Sequence, residues 1–133
     1  MFIWQARVYW EDTDAGGVVY YANYLRFLER ARTEWLRARG YDQSRLQAES
    51  QLVFAVTRVE ADFRSAARLD DVLHVSCEPS LQRARIHFRQ RVWRDRPEGD
   101  LLVEAAVQVA CLDAERFAPR RLPDELRAGL GVS

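Results

Sequence analysis

A length of 133 residues suits one domain, 1–133, with its own core, and a hydrophobic share of 48% excludes a disordered chain. The formal net charge is +0, so no global field recruits nucleic acid or an anionic membrane, and any anion site must be local. The two cysteines, Cys77 and Cys111, lie apart in alternating apolar segments. That pattern argues against a disulfide scaffold or a zinc site and predicts buried free thiols in a reducing compartment.

The chain starts Met1-Phe2-Ile3-Trp4-Gln5-Ala6-Arg7, without the basic region and long apolar stretch of a signal peptide. No window approaches a membrane span, so a cytoplasmic protein without stable membrane insertion is expected. Residues 2–10 alternate, with Phe2, Trp4, Ala6, Val8 and Trp10 on one face, which predicts a half-buried strand. The link Glu11-Asp12-Thr13-Asp14-Ala15-Gly16-Gly17-Val18-Val19-Tyr20-Tyr21-Ala22-Asn23 follows, with three acids and a glycine pair. Asn23 reads as a helix N-cap and Gly40 as the residue past its end. Between them Tyr24, Leu28, Ala31 and Trp35 form a helical stripe, widened by Leu25, Phe27 and Leu36. Such a helix is roughly 25 Å long and a ten-residue strand roughly 33 Å, so long strands can cover it.

Residues 41–50 suggest a short helix or loop. Strands are predicted at 52–64, 72–81, 83–93 and 101–112, with a turn at 94–100 and a weakly helical tail from Pro123. Residues 52–64 place Val53, Ala55, Thr57, Val59, Ala61 and Phe63 on one face. The order strand, long helix, four strands argues for an α+β domain in which one antiparallel sheet packs on the helix. One helix cannot cover a five-stranded sheet, and exposed edges predict self-association.

Asp14 is the leading catalytic candidate. The glycines after it permit a tight turn that brings the peptide N–H groups around Tyr21 toward its carboxylate. Such N–H groups at a helix start can polarise a carbonyl and stabilise an oxyanion. A carboxylate beside them can attack that carbonyl or activate a water. The plainer reading makes Glu11, Asp12 and Asp14 turn and capping residues. An EF-hand match fails, because Gly16 and Asn23 fall where an acceptor and a bidentate Glu are needed. Two histidines, His74 and His87, sit on separate strands and read as solvent-face residues. Glu29 can approach the site or pair with Arg26 or Arg32 on the helix surface. The basic row Arg83, Arg85, His87, Arg89, Arg91 can bind phosphates or be a solvated strand face, and Arg120-Arg121 is a second cationic pair.

The run Val8-Tyr9-Trp10-Glu11-Asp12-Thr13-Asp14-Ala15-Gly16-Gly17-Val18-Val19-Tyr20 resembles the signature of the hotdog-fold acyl-CoA thioesterases, in the branch of 4-hydroxybenzoyl-CoA thioesterase and the Tol–Pal-associated YbgC-type enzymes. Glu29-Arg30-Ala31-Arg32-Thr33-Glu34, Ala67-Arg68-Leu69-Asp70-Asp71 and Pro119-Arg120-Arg121-Leu122-Pro123 continue the likeness over nearly the whole chain. The resemblance implies a long central helix wrapped by a five-stranded antiparallel sheet and hydrolysis of acyl-CoA to free acid and CoA. It implies no metal and no organic cofactor, and a homodimer, often paired into a tetramer, with the site at the dimer interface. Asp14 is then the catalytic carboxylate and the Tyr21 backbone N–H the carbonyl's partner. Gly17, Glu29, Arg83, Arg120 and Arg121 are the substrate-binding candidates. Many YbgC-type members carry His where this chain has Tyr21; a backbone role survives that change. The alternative is a non-catalytic acyl-thioester binding or scaffold protein on the same fold, which has no need of Asp14. A hotdog dehydratase is weaker still, since its usual histidine pattern is missing.

Overall fold

A computed structural model describes residues 1–132. Strand β1 (Phe2–Arg7) is followed by two 3-10 turns, Trp10–Asp12 and Tyr21–Asn23, and then helices α1 (Tyr24–Ala38) and α2 (Gln43–Ser50). Four strands follow, β2 (Leu52–Phe63), β3 (Val72–Gln82), β4 (Arg85–Arg94) and β5 (Asp100–Asp113), and a short α3 (Asp124–Leu130) ends the chain. The strands form one antiparallel sheet in the order β1-β3-β4-β5-β2. The α1 stripe of Tyr24, Phe27, Leu28, Ala31, Trp35 and Leu36 is buried. This is the α+β hotdog arrangement of a long helix against a five-stranded sheet. No helix among the described residues is long and apolar enough to cross a membrane.

Two apolar clusters join helix to sheet. Near the start of α1, Tyr24, Phe27, Leu28 and Ala31 pack with Val8, Val75, Val92 and Val103. Near its end, Trp35 and Leu36 pack with Cys77, Phe88, Val109, Cys111 and the α3 residues Leu126 and Leu130. Both cysteines are buried and free, and burial pushes the thiols up to about 12 for Cys77 and about 11 for Cys111. They are protonated, inert core residues at neutral pH.

The C-terminus of α1 follows the glycine reading. Gly40 takes φ +90°, its N–H donates to the Arg37 carbonyl at 2.9 Å, and the Tyr41 N–H donates back to Leu36 at 3.1 Å. These are the two bonds of a Schellman motif, which needs a left-handed residue at this place. The N-terminus differs from the expectation. Asn23 is itself in helical conformation and caps nothing; its side chain is engaged elsewhere. Leu25 does not join the stripe and is 42% exposed.

Two further departures concern strands. β1 ends at Arg7, so Val8 is buried past its end while Trp10, in the following turn, is 83% exposed. In β2 a bulge between Val56 and Arg58 shifts the alternation by one residue. Phe54 and Val56 lie opposite Cys111 and Val109; beyond the bulge, Val59, Ala61 and Phe63 lie opposite Val107, Ala105 and Val103. Those β5 partners belong to the core, so Phe54 and Val56, rather than Val53, Ala55 and Thr57, share the face of Val59, Ala61 and Phe63. β2 is also a sheet edge, twelve residues long, with Val56, Val59 and Phe63 all at least 39% exposed.

Candidate active site

The acidic link folds into a small hairpin. Thr13 bridges Val19, the Asp14 N–H donates to the Val18 carbonyl at 2.9 Å, and the Gly17 N–H donates to the Asp14 carbonyl at 3.0 Å. Gly17 sits at φ +79°, the left-handed position that a three-residue hairpin loop demands. The Asp14 side chain points out at the tip. Its Oδ1 accepts the Gly16 N–H at 2.8 Å, and Oδ2 has no protein partner among the described residues. One oxygen fixes the carboxylate and the other is available.

The loop 64–71 anchors the hairpin from behind. Val19 N–H donates to the Ala67 carbonyl at 2.8 Å, and Ala67 N–H donates to the Tyr24 hydroxyl at 2.9 Å. Burial raises the Tyr24 pKa above the ordinary phenol value, so the ring stays neutral and acts as a structural acceptor. Asp71 accepts from Arg94 Nη1 at 3.0 Å and closes the same loop onto β4.

After the hairpin the chain turns through Tyr21–Asn23 into α1. The Tyr21 N–H, first in that turn, donates to no protein acceptor in the described residues. Its ring meets Tyr20 at 5.0 Å between centroids and Phe63, at the end of β2, at 5.9 Å. A cleft of ≈ 340 Å³ is lined by Glu11, Asp12, Thr13, Asp14, Tyr20, Ala22, Asn23 and Arg26. It joins the hairpin carboxylate to the start of the helix, where unpaired N–H groups carry partial positive charge. Larger concavities lie on the outer sheet face, beside Glu78, His87, Arg89 and Glu104, and at the β3–β4 turn.

The remaining candidates do not gather there within one chain. Gly17 lies in the hairpin. Glu29 is exposed on α1 and accepts from the Thr33 hydroxyl at 3.1 Å; it pairs with neither Arg26 nor Arg32. Arg32 instead turns inward, donates to Gln90 Oε1 at 3.0 Å, and is pulled by burial below its ordinary pKa. Arg83 is not on a strand row: it sits at φ +56° in the β3–β4 turn. That turn is tied to the end of β5 through Cys111 N–H to Ala84, while Arg120 N–H donates to the Cys111 carbonyl and its Nη1 to Ser50 at 2.7 Å. Arg121 is exposed beside it. The hairpin end is tied to β5 near Leu102, through Arg64 and Ser65. Nine residues of strand separate the two ends, or roughly 30 Å. The rest of the basic row is partly balanced: Arg89 and Arg91 both approach Glu104 at 3.7 Å.

A family model described as the thioesterase-like superfamily matches residues 8–130. The chain belongs to that superfamily. It is 47% identical over 128 residues to a Haemophilus influenzae protein named acyl-CoA thioesterase YbgC, covering 96% of this chain and 92% of that one. It is 44% identical over 129 residues to the acyl-CoA thioester hydrolase YbgC of Escherichia coli O6:H1, covering 96% and 94%. Among solved structures, a probable thioesterase from Bartonella henselae superposes with a TM-score of 0.84 at 39% identity, covering 91% of this chain and 98% of that chain. Within this thioesterase-like domain the matched region contains the hairpin, the helix start and both arginine groups. Three contacts escaped the sequence reading: Asp12 with Asn23, Tyr24 with Ala67 and Arg94 with Asp71. Each joins residues far apart in sequence, and only the apolar period of α1, which turns Tyr24 inward, carried a hint.

Proposed function

We propose that the cleft at the start of α1 hydrolyses acyl-CoA to a free acid and CoA. The observation that carries this is a cleft lined by the Asp14 carboxylate and by Tyr20, Ala22 and Asn23 on either side of Tyr21, whose N–H is unpaired among the described residues. The names of the YbgC relatives support the same substrate class. The Tyr21 N–H takes the thioester carbonyl oxygen and stabilises the negative charge that grows on it. Asp14 then acts in one of two ways. As nucleophile, it bonds to the carbonyl carbon as the C–S bond breaks; CoA leaves as thiol after taking a proton, and water cleaves the mixed anhydride, restoring Asp14. As general base, it takes a proton from a water that attacks directly, and passes it to the leaving thiolate. Both routes consume one water and need only Asp14, Tyr21 and the shape of the cleft.

The β2 edge supports a two-fold assembly. A long apolar edge strand invites pairing, and a two-fold axis makes it pair antiparallel with its own copy. The Phe63 end of one β2, which touches Tyr21, would then lie beside the Leu52 end of its partner. Arg120 is bonded to that second end through Ser50. A dimer of this form brings Arg120, Arg121 and the turn of Arg83 toward the partner's hairpin, where they can bind the phosphates of CoA. The separation of these groups in one chain is thus a reason for the dimer rather than an objection to the site.

A panel of short, long and aromatic acyl-CoAs, followed by release of free thiol, tests the activity. We expect many turnovers on at least one class without added metal. Tight binding of acyl-CoA with no thiol release on any member would favour the binding-protein alternative.

A further inference from the structure

Asp12 is the single carboxylate buried among the described residues, 8% exposed, and Asn23 beside it is equally buried. Both Asp12 oxygens are occupied. The Tyr9 N–H donates to Oδ2 at 2.8 Å, and Asn23 Nδ2 donates to Oδ1 at 2.9 Å. Its peptide is engaged too: the N–H donates to Tyr9 at 3.0 Å, and the carbonyl accepts from the Tyr20 N–H at 3.2 Å. Taking a carboxylate out of water is costly unless strong bonds replace the lost hydration. A surface turn has no need of that expense, so the arrangement holds something in place.

What it holds is visible from the spacing. Asp14 lies two residues after Asp12, and Tyr21 lies two residues before Asn23. The Asp12–Asn23 bond therefore closes a ring of chain that contains both the carboxylate and the N–H of the proposed chemistry. Asn23 donates its own N–H to the Tyr20 carbonyl at 2.8 Å. Tyr20 is gripped at both polar groups, its N–H by the Asp12 carbonyl and its carbonyl by the Asn23 N–H, and the Tyr21 N–H on the far side of that same carbonyl's peptide is left unpaired among the described residues.

We infer that Asp12 and Asn23 form a positioning clamp that sets the Tyr21 N–H against the Asp14 carboxylate. Neither performs chemistry. The inference rests on the Asp14–Tyr21 reading above. Asn23→Asp breaks the clamp, because two carboxylates then face each other with no donor between them. The double variant Asp12→Asn/Asn23→Asp reverses the polarity and restores it. Asn at position 12 accepts the Tyr9 N–H through its oxygen and donates its amide to the new carboxylate.

The experiment measures kcat and KM for a hydrolysed acyl-CoA in wild type, Asn23→Asp and the double variant, with circular dichroism melts as the folding control. Misplacing a reacting group by about 1 Å costs on the order of 100-fold, so Asn23→Asp should lose about that in kcat with KM little changed. The double variant should recover most of the loss. A folded Asn23→Asp that keeps more than half of the wild-type kcat overturns the clamp, and so does a folded double variant no better than Asn23→Asp. If Asn23→Asp does not fold, Asn23→Ser, which only removes the donor, carries the same comparison. Asp14→Asn in the same assay separates the two ideas. If it stays active, the reading of the chemistry fails; if it is dead while Asn23→Asp is active, only the clamp fails.

Discussion

Asp14→Asn is expected to lower kcat about 100- to 10,000-fold while KM for acyl-CoA stays nearly constant. The side chain keeps its shape, and its oxygen can still accept the Gly16 N–H as Asp14 Oδ1 does now. It loses the negative charge that either attacks the carbonyl or takes a proton from water. Those two roles share the prediction, since both act in the transition state and neither contributes to holding CoA. The fold should survive, because Asp14 is exposed at a hairpin tip and buries nothing. Circular dichroism checks that point. A folded variant that keeps most of its kcat would make Asp14 a turn residue and hand the cleft to the binding-protein alternative.

A second large effect is expected at the β2 edge. Light scattering at micromolar concentration should give about twice the 15.5 kDa chain mass, or a higher even multiple. Val56 and Val59 are 50% and 39% exposed near the middle of that strand, where a two-fold axis sets each residue close to its own copy. Val56→Glu with Val59→Glu places like charges across the axis, which disfavours pairing directly. The double variant should run as a monomer and lose CoA binding, seen as a large rise in KM, because Arg120 and Arg121 then stand far from any Asp14. A wild-type monomer, or a monomeric variant with unchanged KM, contradicts the shared site.

The sheet and the long helix are legible in the sequence because their signals are local and repeated. The α1 stripe turns Tyr24, Phe27, Leu28, Ala31 and Trp35 inward as its period requires, and Gly40 ends it through two identifiable bonds. Reading failed where a local signal had a nonlocal competitor. Asn23 has the chemistry of a cap, but its amide is taken by Asp12, eleven residues away, and nothing in the helix pattern reveals that partner. Alternation in β2 is real on each side of Val56 and Arg58, yet the bulge between them reverses its phase. Arg83 continues the arginine alternation of β4 through the turn, where the backbone is no longer extended. The hairpin of Asp14 was legible because glycine spacing and acids act within a few residues; the grouping of Arg83 with Arg120 was not, since Cys111 brings them together from two separate segments.

The central claim is that the thioester carbonyl sits between the Tyr21 N–H and the Asp14 carboxylate. A crystal structure with an acyl-CoA analogue in which CH2 replaces sulfur tests it most directly, since the carbonyl is kept and no thiol can leave. The expected carbonyl oxygen lies about 2.7–3.1 Å from the Tyr21 nitrogen. Its carbon should lie about 3–3.5 Å from Asp14 Oδ2, or from a water bonded to that oxygen. A carbonyl seated away from the Tyr21 nitrogen, with neither Asp14 nor a water bonded to it facing the carbon, contradicts the account.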